Sequence, residues 1–163
     1  MAAPNVVVTV EDHERFQTEL AAIGTETNAK LVYLIDKAGQ QIASFGEMDG
    51  VDPTSLASLT AGNVAATEGV AALVGESEFA SLFPEGAREN VHISVVSNRL
   101  ILLIVFDERS SLGLVRLRVD QHKSTLGEIT GVLLSRSQED SANDDAARVF
   151  EDLTEADIDA LFG

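Results

Sequence analysis

The sequence contains no cysteine and no tryptophan, and aromatic residues make up only 5% of it. The absence of cysteine excludes disulfides, thiolate metal sites and cysteine nucleophiles. The first residues, MAAPNVVVTVEDHE, lack the basic segment and the long apolar run of a secretory leader. We therefore expect a cytoplasmic protein with an aliphatic core.

Positive charge is also scarce, because 11 Lys and Arg residues stand against 27 Asp and Glu residues, a net charge of −16. Such a balance disfavours nucleic acid as a partner, and it disfavours anionic membrane surfaces for the same reason. Residues 135–163 carry nine of the acids and only Arg136 and Arg148 in return. We predict three parts: a domain at 1–136, an acidic polar linker at 137–149, and a short amphipathic helix at 150–163.

The motifs that usually carry chemistry are missing. The sequence has neither a G-x-x-x-x-G-K-[ST] phosphate loop nor a G-x-S-x-G nucleophile elbow. His13 and His122 are expected on helix surfaces and His92 on the polar face of a strand, too far apart in sequence to suggest a metal site. Asp107 and Glu108 follow an apolar strand and are interpreted as solvated loop acids. We expect no catalytic residue, no cofactor and no metal.

Apolar periodicity predicts an α+β fold in the order α-β-β-α-β-β-β-α. The first helix, Glu11 to Glu26, turns Phe16, Leu20 and Ile23 to the core. Because the connections between strands are as short as those of hairpins, the five strands form an antiparallel sheet between one long helix and two outer helices. The predicted strands are 30–36, 40–45, 90–96, 100–106 and 112–119, with a helical stretch at 77–83 and a last helix at 120–135.

The long helix, Pro53 to Gly75, contains one charged residue, Glu68. Asp52 suits its N-cap, Pro53 its first position and Gly75 its C-cap. A membrane span is disfavoured because Asn63 and Glu68 interrupt a run about as long as the ~20 residues that a span needs.

Two stripes run along this helix at alternating steps of three and four residues. We predict that the first packs on the sheet and the second, made only of small residues, meets another helix. A helix buried within one protomer is the alternative. The first stripe is Leu56, Leu59, Asn63, Ala66, Val70 and Leu73, and the second is Ser58, Gly62, Ala65, Gly69 and Ala72.

The sequence ends in LTEADIDALFG, which predicts a short helix capped by Thr154 with Asp157 in a capping box. Its apolar face consists of Ile158, Leu161 and Phe162. About 12–15 residues are needed for a stable isolated helix, so this one is expected to dock on its own domain or on a partner.

Three segments together resemble the roadblock/dynein light chain family, and within it the bacterial MglB type. They are SLASLTAGNVAA in the long helix, VFDERSSLGLVRLR after the central strand and the hairpin LIDKAGQ. The resemblance covers roughly residues 11 to 135. Proteins of this type regulate a Ras-like small GTPase of the MglA type in gliding motility and cell polarity.

The resemblance implies a homodimer that binds the GTP-bound GTPase on its paired long helices and accelerates hydrolysis without an arginine finger, at a cell pole in the cytoplasm. No membrane insertion is implied. The alternative is a roadblock dimerisation scaffold that activates nothing and serves a polarity or chemosensory complex. Arg109 is the one arginine worth testing as a finger, whereas Arg116 and Arg118 are expected on the solvent side of the last strand.

Site residues carried over from the family fall into two groups. The GTPase-binding group is Ala61, Gly62, Ala65, Glu68, Gly69, Ala72, Glu14, Arg15, Ile158, Leu161 and Phe162. The dimer-interface group is Ser58, Gly62, Ala65, Gly69, Val91, Ile93 and Val95. Related activators have a basic residue where this chain has Asp120 and Gln121, so a basic contact there is not expected.

Overall fold

The structure, a computed structural model, describes residues 8–77, 81–97 and 99–151, with side chains through residue 139. Residues 8–130 form one compact unit, and the described residues from Gly131 onward belong to a second. The elements are α1 (Val10–Thr27), β1 (Leu31–Asp36), β2 (Gln41–Gly46), α2 (Pro53–Val74), β3 (Ser81–Leu82), β4 (Asn90–Val96), β5 (Leu100–Phe106) and α3 (Leu112–Glu151). The predicted α+β class is confirmed.

The five strands form one antiparallel sheet in the order β2-β1-β5-β4-β3. β1 and β5 are the two central strands, and their continuous apolar runs are buried on both faces. Such runs are expected wherever both faces of a strand are covered. The predicted hairpin of β1 and β2 is confirmed, and Asp36 Oδ1 accepts hydrogen bonds from the backbone N–H groups of Ala38 and Gln40, each at 2.9 Å.

The two faces of the sheet hold different helices. Leu31, Tyr33 and Ile35 of β1, with Leu103 and Val105 of β5, pack in one cluster with α2. The alternate residues of both strands point the other way and are also buried, as are the apolar residues of α1 and of the first part of α3. α2 therefore covers one face, and α1 and α3 cover the other.

α1 agrees closely with its prediction. Thr9 and Asp12 form a reciprocal capping box, and Phe16, Leu20 and Ile23 are fully buried. The side chain of Gln17 reaches the edge strand β2, where its Oε1 accepts a 2.8 Å hydrogen bond from the backbone N–H of Ser44.

α2 begins and ends where its capping residues predict. The Asp52 side chain accepts a hydrogen bond from the backbone N–H of Ser55, and Pro53 occupies the first helical position. Gly75 ends the helix in the left-handed conformation, with φ of 82°, which glycine adopts without strain.

The predicted strand at 112–119 is wrong, because this segment is the first part of α3. Ser111 caps the helix, and its Oγ accepts a hydrogen bond from the backbone N–H of Leu114 at 3.2 Å. Alternation requires Leu117 to be buried beside Val115 and Val119, yet Leu117 is 51% exposed. The burial of Val115 and Val119, four residues apart, fits a helix.

A two-residue strand takes the place of the missing one. Ser81 and Leu82, predicted to be helical, form β3 and pair with Ser94 and Ile93 of β4. The order of elements therefore matches the prediction. The predicted strands 90–96 and 100–106 are confirmed as β4 and β5, whereas β3 was not predicted as a strand.

α3 continues through Glu151, well beyond the predicted end at residue 135 and across the range predicted as a linker. The proposed helix at 150–163, with Ile158, Leu161 and Phe162, lies beyond the described residues. Across the described ranges, none of the helices has the length and apolar character needed to cross a membrane.

Candidate functional site

The face of α2 that meets the sheet is made of small residues. Ala57, Thr60, Ala61, Val64 and Ala71 are buried, and the side chains opposite them on the sheet are large. Leu59 is 74% exposed and Leu73 is 88% exposed. The prediction that the large-residue stripe packs on the sheet is therefore wrong.

Both predicted stripes lie on the exposed side of α2, except for Leu56, which is partly buried against the sheet cluster. We call this surface the α2 outer face. Its residues are Ser58, Leu59, Gly62, Asn63, Ala65, Ala66, Gly69, Val70, Ala72 and Leu73. It carries no charge, although the protein is strongly acidic. Of the seven large hydrophobic side chains exposed in the described residues, four lie on α2, which marks a contiguous apolar surface typical of protein–protein contacts.

Two glycines lie within the α2 outer face and have open space around them. A Cβ at Gly62 or at Gly69 would meet nothing within 4 Å. Each costs the helix about 1 kcal/mol relative to alanine. Packing inside this protomer gives no reason for either glycine, whereas a close approach by another chain would.

The β1–β2 turn borders this surface. A Cβ at Gly39 would lie 3.1 Å from the Cα of Ser58, so the turn packs directly against α2. Lys37 Nζ lies 2.8 Å from Glu68 Oε1, and both side chains are about two-fifths exposed. Glu68, the single charged residue of α2, is thus engaged within its own protomer, while Ala61 is buried against the sheet.

Glu14 and Arg15 are not brought to the α2 outer face. Both are exposed on α1, which packs on the opposite face of the sheet. A single protomer therefore does not join them to the surface formed by Ala65 and Gly69. Their role in binding stays a prediction.

Val91, Ile93 and Val95 of β4 point to the α2 side of the sheet. Ile93 is buried in the core cluster, and the two valines are partly buried against it. Because β3 pairs with β4 at Ile93 and Ser94, β3 is the outermost strand at this end of the sheet. Pairing of β4 with a second copy at Ile93 and Ser94 would require β3 to be displaced.

A small charge network lies where β5 ends. Asp107 accepts hydrogen bonds from the Arg109 backbone N–H at 3.0 Å and from Arg109 Nε at 3.1 Å, and Lys30 lies between Asp107 and Glu89. The bonds from Arg109, with help from Lys30, lower the pKa of Asp107 to about 2. Asp107 is held ionised and is unsuited to general-acid chemistry.

His92 is buried, which contradicts its predicted place on a polar strand face. Burial, with the nearby positive charges of Arg116 and Lys123 on α3, lowers the pKa of His92 to about 4.

Arg116 is exposed as expected but on a helix, and Arg118 donates to Gln121 Oε1 at 2.9 Å. No group of three or more potential metal ligands comes together among the residues that the structure describes.

Sequence reasoning missed four surface residues, Leu59, Val70, Leu73 and Val74. Hydrophobicity does not show which side of α2 faces the core, because the helix is apolar on every side. One signal was present, since the predicted strands are rich in large residues, which pack well against small ones.

Comparisons with known proteins identify a domain family and several solved structures that this chain resembles. The Roadblock/LC7 domain family model matches residues 16–106. MglB of Myxococcus xanthus is similar at 44% identity, with a TM-score of 0.73, over 78% of this chain and 96% of that chain. The gliding protein MglB of Thermus thermophilus is 30% identical, with a TM-score of 0.70, over 78% of this chain and 97% of that chain.

A third solved structure is described as MglB with a tetrameric arrangement. It is 29% identical, with a TM-score of 0.73, over 81% of this chain and 99% of that chain. No curated protein sequence matches the chain at a significant level.

Proposed function

Since the chain belongs to the Roadblock/LC7 domain family, we propose that it is a homodimeric GTPase-activating protein for a Ras-like bacterial small GTPase of the MglA type. The protein itself is a regulator and not an enzyme. It binds the GTP-bound partner, and it acts in cell polarity or gliding motility, in the cytoplasm and at a cell pole.

The α2 outer face is the observation that carries this proposal. It is apolar, uncharged and exposed, and it contains two glycines whose surroundings are open. Gly62, Ala65 and Gly69 let another backbone come close, while the neighbouring Leu59 and Leu73 supply apolar area. A second copy of α2 and the GTPase share this surface, with the small residues at its centre.

Activation proceeds by reshaping the switch regions of the GTPase, without an arginine supplied by this chain. Arg109 is the arginine that follows the central strand, and its Nε and backbone N–H are both bonded to Asp107. An arginine finger must reach freely into the nucleotide site of the partner. The guanidinium of Arg109 would first have to give up its bond from Nε to Asp107.

The first test is a phosphate-release assay with a purified MglA-type GTPase loaded with GTP. We expect faster release with the wild-type protein and with Arg109→Ala. No change in rate, with binding intact, would overturn activation. A specific loss of acceleration in Arg109→Ala would overturn only the statement that no arginine finger is used.

The second reading, a scaffold that dimerises and tethers other polarity or chemosensory proteins, predicts a different binding pattern. An activator binds the GTP form in preference to the GDP form, because the switch regions differ between the two. Equal affinity for both nucleotide forms, measured by calorimetry, would favour the scaffold.

We also propose that the C-terminal segment of this chain binds the GTPase. Ile158, Leu161 and Phe162 are proposed to dock away from its nucleotide pocket. Deletion of residues 150–163 is expected to weaken GTPase binding while dimerisation persists. Unchanged affinity would show that the segment only adds charge and solubility.

A further inference from the structure

One imidazole joins the two helices on the face of the sheet opposite α2. His122 belongs to α3, and its Nδ1 lies 2.6 Å from Glu19 Oε2 of α1. Its Nε2 lies 2.9 Å from Glu26 Oε2, also of α1. The two acids are separated by two helical turns and so lie on one side of α1. The His122 side chain is 16% exposed and its contact with Glu19 is partly buried, whereas the Glu26 side chain is 38% exposed.

This arrangement requires a proton. An ionised carboxylate only accepts hydrogen bonds, and a neutral imidazole has a single N–H to donate. With both ring nitrogens against carboxylate oxygens, a neutral His122 would turn one lone pair towards another. The imidazolium form donates to Glu19 and to Glu26 together, and each of those bonds is charge-assisted.

The other ionisable groups near His122 either bond to other residues or lie on the sheet. On α3, Lys123 lies 3.6 Å from Asp120, and Arg118 donates to Gln121. From the sheet, β4 directs His92 towards α3, and β5 presents apolar residues on this side. Glu19 and Glu26 therefore set the charge state of His122.

Opposing effects act on the pKa of His122. Burial lowers its pKa, but the hydrogen bonds and negative charges of Glu19 and Glu26 outweigh burial, so the pKa is raised above the ordinary 6.5. A histidine whose pKa is raised by folding stabilises the fold most fully below its unfolded pKa. That contribution disappears as the pH rises through the folded pKa.

We propose that His122 is a proton-dependent clip that fastens α3 to α1. When protonated, it bonds both acids. When His122 loses the proton, one of its two hydrogen bonds is lost. The lone pair of that ring nitrogen then repels the carboxylate oxygen, and α3 loosens from α1. The transition lies on the alkaline side of the ordinary imidazole value of 6.5, so the attachment of α3 weakens as the pH rises beyond that value. The proposal is independent of any GTPase.

Nitrogen NMR of the full-length protein tests the charge state directly. We expect both ring nitrogens of His122 to carry protons at pH values below the ordinary imidazole pKa of 6.5. Its titration midpoint should lie above the midpoint of the same histidine in the urea-unfolded chain. A single protonated nitrogen under those conditions, or a midpoint at or below that of the unfolded chain, would overturn the clip.

Hydrogen exchange of the α3 amides between Val115 and Leu126 tests the consequence. After correction for the intrinsic rate, we expect protection in the wild type to fall as the pH rises through the pKa of His122, which is raised above the ordinary 6.5. His122→Gln still bonds but does not titrate, so its protection should not change with pH in this way. An identical fall in His122→Gln would overturn the proposal.

A second pair of variants separates charge from folding. Glu19→Gln with Glu26→Gln should lower the His122 midpoint, whereas Glu11→Gln with Glu14→Gln, which removes the same charge from exposed positions of the same helix, should leave it in place. An equal shift in both proteins would mean that overall charge, not the clip, controls His122.

Discussion

Replacing Gly62 and Gly69 by alanine should stabilise the protomer and weaken its assembly at the same time. In the protomer, each added methyl group would have no neighbour within 4 Å, so nothing opposes the higher helix propensity of alanine. The gain is about 1 kcal/mol for each glycine, or about 2 kcal/mol for the pair, if they act independently. For a chain of this size that corresponds to a rise in Tm of roughly 4–8 °C.

The effect on the dimer and on the GTPase complex has the opposite sign. If two backbones meet at this stripe, a methyl group forces them apart, and overpacking of a tight contact costs about 1–3 kcal/mol. A loss of that size weakens binding by roughly 5-fold to 150-fold. Sedimentation equilibrium would give the dimer constant, and calorimetry with the GTP-loaded GTPase would give the affinity.

Gly131→Ala is the matched control, because Gly131 also lies inside a helix and a Cβ there would meet nothing within 4 Å. It should stabilise the chain without changing either association. Unfolding must be followed at several protein concentrations, since dimerisation itself contributes to stability. A double variant that is more stable and that dimerises and binds normally would refute close approach at this stripe.

Three further predictions concern separate parts of the fold. Ala65→Arg should abolish the GTPase response or dimerisation, since an unpaired buried charge costs several kcal/mol. The exposed control Ser124→Arg should change neither property. Normal dimerisation by light scattering and normal phosphate release in Ala65→Arg would contradict the assignment of this surface. Because the pKa of His92 is about 4 in the fold and 6.5 unfolded, the fold should lose up to about 3 kcal/mol as the pH falls between these values, and urea titrations of His92→Leu should lack that loss. Gly24→Ala should destabilise by about 1–3 kcal/mol in thermal unfolding, because its Cβ would overlap the Phe45 ring; an unchanged Tm would show that the ring moves freely.

The sequence predicted those elements whose ends or pattern depend on residues close by in the chain. The ends of α2 follow from Asp52 and Gly75, whose side chain and backbone freedom act within a few residues. The core strand β5 follows from an uninterrupted apolar run. These features need no knowledge of what packs against them.

The first part of α3 was mistaken for a strand because two periodicities overlap over a short window. Residues 112–119 alternate in polarity, but the burial of Val115, Val119, Leu126 and Ile129 follows a helical repeat that becomes visible only over a longer stretch. Ser111, the cap that starts this helix, was the local signal left unused.

The orientation of α2 was not predictable from hydrophobicity. A helix that is apolar all round has no polar side to mark where solvent lies. The sheet beneath it presents Tyr33, Ile35 and Leu103, so the space left for α2 suits Ala57, Ala61 and Val64. The existence of an uncharged outer surface could be predicted, but the residues facing out could not.

The clip at His122 was equally out of reach, because its partners lie 103 and 96 residues away in the sequence. No spacing rule connects a histidine on one helix with two acids on another when a sheet comes between them in the chain. Only the packing of α1 beside α3 brings the three groups together.

The hydrogen bond from the Ser44 backbone to Gln17 has a consequence for how copies of this chain can assemble. A sheet with two free edges can add copies at both and grow into a fibre, whereas a sheet with one blocked edge can pair only at the other, which stops growth at two copies. Gln17 occupies a backbone donor that an incoming strand would need at β2. A single glutamine amide thus opposes the addition of a strand at this edge of the sheet.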